Sequence, residues 1–369
     1  MTIESCNINI PTQPNSLKIQ ITQKHSHSVM LRRHALQTAR FAQAHCKHRA
    51  KYSTQPLGID KSVENNLKTE TNKLSKNLNK FWTQIDLKKD SKDHSSTITL
   101  DSKPVRTPLG HNLTIPASKP TLSFLLLNEW ANLPNLKIKP HSLPLTSIVA
   151  RCIDLQKSLN KEVLQKATED SELSDEIISK IGCSNREDLY PQLLRYLDTD
   201  TLLCFSPRAE FEGKLREEQD KKYLPIIAKV ENFMNKKFPY MATNGVNTSE
   251  NAQEKFKLQI LDADLHGLRG NQQDNVTKSV AINYMDSLSL WDLVIFEKTV
   301  LSTKSFICGL LLLNNQAFDV SMNEIIRLST METLHQVDRW GEVEDTHDVD
   351  KRDISRNVNA ASIVAYCDK

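Results

Sequence analysis

Hydrophobic and polar positions divide the chain into a short-period stretch followed by a long-period one. From Phe81-Trp82 to Pro116 the pattern predicts small β elements with turn punctuation. Thr83–Leu87 and Thr97–Leu100 alternate with period two. Asp101-Ser102-Lys103 turns into Pro104–Thr107, and Leu109-Gly110-His111-Asn112 turns into Leu113–Ile115. Ser118 is placed to cap a helix ending near Trp130, with Leu122, Leu125, Leu126 and Leu127 facing the sheet. After Asp154 nothing resembles a sheet. Helical spacing predicts helices at about 155–168, 187–198, 208–238, 288–300, 304–315, 321–340 and 351–366. Ser289, Thr303, Ser321 and Asp350 are their N-cap candidates. The stretch from 242 to 280 is rich in Asn, Gln and Thr, lacks periodicity, and reads as a polar insertion or loop. The expected fold class is α+β: a small N-terminal antiparallel β-rich domain with a helix (80–155), then a larger all-helical C-terminal domain (156–369).

Glycine placement narrows the chemistry. The nine glycines of this 369-residue chain are scattered and form no G-x-G-x-x-G, which argues against nucleotide enzymes built on such loops. No apolar run approaches the ~20 residues of a membrane span. Charge is unevenly spread. Residues 1–54 carry eight Lys/Arg against Glu4 alone, so the net charge of +3 leaves a mildly acidic body and argues against a nucleic-acid partner. Between Ser5 and Ile59 there is no acid, and Ser28–Cys46 reads as an amphipathic helix with Arg33, Arg40 and Lys47 recurring every seven residues. Acid-poor, Arg-bearing and amphipathic is the composition of a mitochondrial transit peptide, so residues 1–54 are read as a leader to the matrix and 55–79 as a polar linker. The seven cysteines include no C-x-x-C; those of the body read as free thiols in a reducing compartment.

Three blocks carry a family resemblance. The first holds Phe81-Trp82, Leu100–Pro108, Leu113–Pro116, Asn128-Glu129-Trp130 and Leu143-Pro144-Leu145-Thr146. The second is Asp198-Thr199-Asp200-Thr201 followed by Leu215–Gln219. The third is Lys304-Ser305, Glu332, Gln336 and the run Trp340–Asp350. Together, over about residues 80–362, they resemble the Atp12 family of assembly chaperones for mitochondrial F1-ATPase. The resemblance implies a non-enzymatic protein without cofactor. Such a protein binds the unassembled α subunit of F1, prevents its aggregation and hands it over for α/β hexamer assembly. Glu129-Trp130 and Leu143–Thr146 are expected to join the two domains.

Site candidates gather in the third block. Glu332, Gln336 and Trp340 are spaced i, i+4, i+8 and so form one ridge if a single helix carries them. Such a ridge suits protein binding, the indole supplying buried area and the polar pair fixing orientation. Trp340 is read first as a core residue and second as a client contact; Glu332 is read first as a client contact. Glu342, Glu344, Asp345 and Asp348 extend the site as an acidic run, either a plain solvated face or a surface complementary to basic client groups. His347 orders the loop through a carboxylate, or, with Asp348, forms the dyad of a metal-dependent hydrolase. A structural matrix protein is the other alternative. The free protein is expected to be a monomer.

Overall fold

The computed structural model describes residues 80–133, 140–159, 186–239, 255–267, 269–344 and 346–368. The leader, the linker, Asp345 and residues 240–254 of the polar stretch lie outside the described residues.

Period-two alternation becomes a four-stranded antiparallel sheet. β1 (Ile85–Lys89) pairs with β2 (Ser96–Leu100), Ile85 opposite Leu100 and Lys89 opposite Ser96. Asp101 and Ser102 both take positive φ, 45° and 70°, the mirror-image turn that suits strand twist, and lead into β3 (Lys103–Pro104). β4 (Thr114–Ile115) pairs with the start of β2. α1 (Pro120–Ala131) buries Leu122 and Leu126 among Ile98 and Ile115. Each such fully buried side chain contributes about 1.5–3 kcal/mol. The expected Ser118 cap is not used. The first free amides, those of Thr121 and Leu122, instead donate to the Asp368 carboxylate at 3.1 and 3.0 Å, so the far end of the chain caps this helix.

α2 (Pro144–Ser158) starts eleven residues before the expected helix at 155, whose residues beyond 159 lie outside the described ones. Proline is tolerated at its first position because that amide has no intrahelical partner. The amides of Leu145 and Thr146 donate to Glu129 at 2.7 and 2.9 Å, and the Trp130 indole donates to Thr146 Oγ1 at 3.0 Å. These two segments therefore bind each other, both within residues 80–155. α2 spans residues 155 and 156 and packs on two later helices, α7 (Leu290–Thr303) and α11 (His347–Tyr366).

Between them run α3 (Tyr190–Asp198), β5 (Cys204–Phe205), α4 (Lys214–Lys237), β6 (Leu261–Asp262), α5 (Ala263–His266) and α6 (Asn275–Ser287). β5 and β6 pair in parallel, so the later part of the chain is mainly rather than wholly helical. α6 corrects the end of the reading of 242–280 as insertion or loop, since residues 275–280 are helical. Its Thr277, Val280, Ala281 and Tyr284 are buried at helical spacing, hidden in the sequence by Asn, Ser and Thr between them. α8 (Phe306–Leu313) is almost entirely buried. A Cβ on its Gly309 would lie 2.6 Å from the Phe296 ring and 2.8 Å from Val300, so the close helix contact requires glycine. Ser305, not Thr303, caps this helix by accepting from Cys308; Thr303 ends α7 with its hydroxyl donating to Thr299. α9 (Asn315–Phe318) and α10 (Met322–Trp340) complete the order. All described residues fall within one compact unit. Among them no helix is long and apolar enough to cross a membrane.

Candidate functional site

α10 begins as expected at Ser321, whose hydroxyl accepts from the Glu324 amide, and ends at Gly341 with φ of 86°. Glu332, Gln336 and Trp340 therefore share one helix face. Gln336 Nε2 donates to Glu332 Oε1 at 3.0 Å. Leu328 and Ile325, one and two turns earlier on the same face, are buried, so this face passes from core to surface along the helix; Leu334 and Val337 are half-buried.

Trp340 corrects its core reading: it is 68% exposed. The helix outruns its neighbours, so the last turn leaves the core. The indole is not unsupported, however. It meets Phe211 edge-on at 5.4 Å, and the Arg339 guanidinium lies 5.6 Å from the Phe211 ring and 5.5 Å from the indole. Phe211 also packs edge-on against His335. His335 Nε2 and Arg327 both engage Glu218, at 2.9 and 2.8 Å. Against a desolvation that pushes the Glu218 carboxyl up, these two bonds hold it below its ordinary value. The segment under the indole is unusual in backbone. Phe211, Glu212 and Gly213 take φ of 49°, 56° and 77° in succession, a left-handed turn that only the glycine adopts without steric cost.

The acidic run divides. Glu342 and Glu344 are exposed between α10 and α11. α11 begins at His347, four residues before the expected start. Asp350 is therefore inside its first turn rather than an N-cap, and Asp348 and Asp350 both favour the positive helix end. Among the described residues His347 orders the loop through the backbone: its Nδ1 accepts from the Val343 amide at 3.2 Å. Among the described residues no three His, Cys, Asp or Glu side chains come together as a metal site.

The structure adds neighbours that spacing did not reveal. Glu332 lines a cleft of about 320 Å³ whose walls come from the β5–β6 pair and the residues around it, including Ser206, Glu210 and Arg269. Sequence separation of some 60 to 130 residues hid this. Beneath the cleft, Arg216 is buried under Phe205 and bound by Asp262 at 2.6 Å and Asp220 at 2.9 Å. The second and third sequence blocks meet nearby. Asp200, fully buried, accepts from Leu202 N and Ser305 Oγ through one oxygen and from Ile307 N through the other, at 2.9, 2.7 and 2.9 Å.

Comparison with known proteins accounts for this conjunction. The model of the ATP12 chaperone protein family matches residues 79–231. The mitochondrial Protein ATP12 of Saccharomyces cerevisiae is 48% identical over 322 residues, 85% of this chain and 92% of that protein. The chain belongs to the ATP12 chaperone family. The mitochondrial atp12 protein of Schizosaccharomyces pombe is 30% identical over 270 residues, covering 73% of this chain and 77% of its own. A mutant Atp12p of Paracoccus denitrificans shares the fold, with a TM-score of 0.51 at 19% identity over 79% of this chain and 98% of that one. As a member of the ATP12 family the protein is a chaperone and not an enzyme, and the hydrolase reading of His347 and Asp348 is set aside.

Proposed function

We propose that this chaperone binds the unassembled α subunit of mitochondrial F1-ATPase in the matrix, prevents its aggregation and yields it during α/β hexamer assembly. The observation that carries the reading is the exposed indole of Trp340, held on a built aromatic base at the end of the ridge that begins with Glu332. Tryptophan is enriched among the residues that dominate binding energy at interfaces. A subunit awaiting its neighbours exposes apolar surface that the assembled hexamer buries. Covering one such face lowers the concentration of aggregation-prone surface without any covalent step. The acid-poor leader and the mitochondrial names of the two yeast relatives support the compartment. In this reading Glu332, Gln336, Trp340, Glu342, Glu344, Asp345, His347 and Asp348 face the client, and the free chaperone is a monomer.

Glu332→Lys tests it, because it reverses the charge of an exposed side chain while leaving the buried side chains of α10 unchanged. The expected outcome is loss of α-subunit capture in a pull-down, at about tenfold weaker affinity or worse, with unchanged circular dichroism. A folded variant that holds the α subunit as tightly as the wild type removes the ridge as the site.

A further inference from the structure

We infer that the cleft between the β5–β6 pair and α10 is a socket for one basic side chain, lysine or arginine, on an extended segment of the client. The inference rests on the client reading above. Four observations lead to it. At about 320 Å³ the cleft stands at the small end of ligand pockets, which run from about 300 to 1,000 Å³. It holds a side chain with its flanking peptide units, whereas a helix about 10 Å across would not enter. Phe205, Pro207, Leu261 and Ala263 supply apolar wall for a methylene stem. Glu210 and Glu332 line the cleft as exposed carboxylates, and among the described residues neither is in an ion pair. Ser206 Oγ is shut off from solvent with no hydrogen-bond partner, and such a group ordinarily finds one.

The charges decide the sign of the occupant. Arg216, below the cleft, is already closed by Asp262 and Asp220 and offers nothing to an acid. Arg269 lies at the exposed rim without an ion-pair contact to either carboxylate, so the two acids are not neutralised from within. An acidic client residue would therefore meet two carboxylates against one exposed guanidinium. A basic one meets the reverse.

Helix geometry then sets the spacing of the client motif. Glu332 and Trp340 lie eight residues apart on α10, about 12 Å at 1.5 Å per residue. An extended chain covers about 13 Å in four residues and returns its side chain to the same face at even spacing. The client segment thus carries its basic residue four positions from an apolar one, the first in the cleft and the second against the Trp340 ring.

The test places a photo-crosslinking benzoylphenylalanine at rim position 269 or, separately, at position 340 of the full chain, with purified F1 α subunit as the probe. Both positions are expected to capture the α subunit in one extended stretch containing a lysine or arginine four residues from an apolar side chain. Ala263→Trp, which plugs the cleft without altering charge, is expected to weaken binding tenfold or more while circular dichroism is preserved. Capture from 340 with none from 269 overturns the socket and leaves the client reading standing. Capture from 269 at an acidic or helical stretch overturns it too. Capture from neither position, with no α subunit retained by the unmodified chain, overturns the client reading itself.

Discussion

Around Asp200 the chain answers burial with hydrogen bonds, whereas around Trp340 it spends a strained turn to hold an apolar ring in water. The first region ties Leu202, Ser305 and Ile307 to one carboxylate with no exposure at all. The second supports a ring 68% exposed on Phe211, whose backbone φ of 49° few non-glycine residues adopt. Both joints connect segments far apart in the chain, and both involve residues of the blocks shared with the family. A buried polar group with its partners in place specifies how elements dock. An exposed apolar group with costly support contributes little to the fold, and under the proposed function its partner is the client. Residues of one resemblance can thus divide into those that build the scaffold and those that present its working surface.

The largest expected effect breaks the comparison on the buried side. Burial pushes the Asp200 carboxyl up to about 6, against the donors that hold it down. Between about pH 4 and 6 the folded chain keeps a proton that the unfolded chain has lost. Stability from this group is therefore fully present below the unfolded value of 3.8 and is lost as pH rises through 6, amounting to about 3 kcal/mol. In denaturant titrations at pH 4, 5, 6 and 7, the difference between wild type and Asp200→Asn should slope by about that amount and flatten above pH 7. A difference independent of pH would show that the donors, not burial, govern this carboxylate.

Legibility in the sequence follows the range of the interactions. The sheet and the α10 ridge could be read because period two, the i, i+4, i+8 spacing, the Ser321 cap and Gly341 are all local. Whether Trp340 was core could not be read, since spacing gives the face of a helix but not whether its last turn outruns the packing around it. The cap on α1 was beyond reach for a plainer reason: Asp368 stands some 250 residues from the amides it accepts. Low helix propensity masked α6, though its buried positions keep the helical period. Part of the cleft wall, from Leu261 to Arg269, fell within a stretch read as insertion, because a two-residue parallel pairing of Cys204–Phe205 with Leu261–Asp262 leaves no pattern of its own.

On the open side, Trp340→Ala should separate binding from folding. Truncating an anchor of this kind costs about 2 kcal/mol of affinity, so the α subunit should be held about thirtyfold more weakly in an equilibrium titration. Stability should fall by no more than about 1 kcal/mol, the value of an edge-on aromatic pair, because the ring buries little else. Equal losses in binding and in unfolding free energy would place Trp340 with Asp200 as an architectural residue, and the contrast would dissolve.

The finest test concerns the turn beneath the ring. Glu212 takes φ of 56° with its side chain in solvent, so glycine at this position relieves steric cost without removing a packed group. Part of that gain is offset by the added freedom of glycine in the unfolded chain. Glu212→Gly should accordingly raise Tm by only about 2 °C in a thermal melt. Its exposed pairing with Lys214 at 2.7 Å is screened by water and carries little weight. The informative reading is the α-subunit affinity measured on the same variant. If the turn merely tolerates strain, affinity stays within about twofold. If the left-handed backbone is what fixes Phe211 under the indole, the variant gains stability and loses affinity together, and the strain belongs to the working surface rather than to the fold.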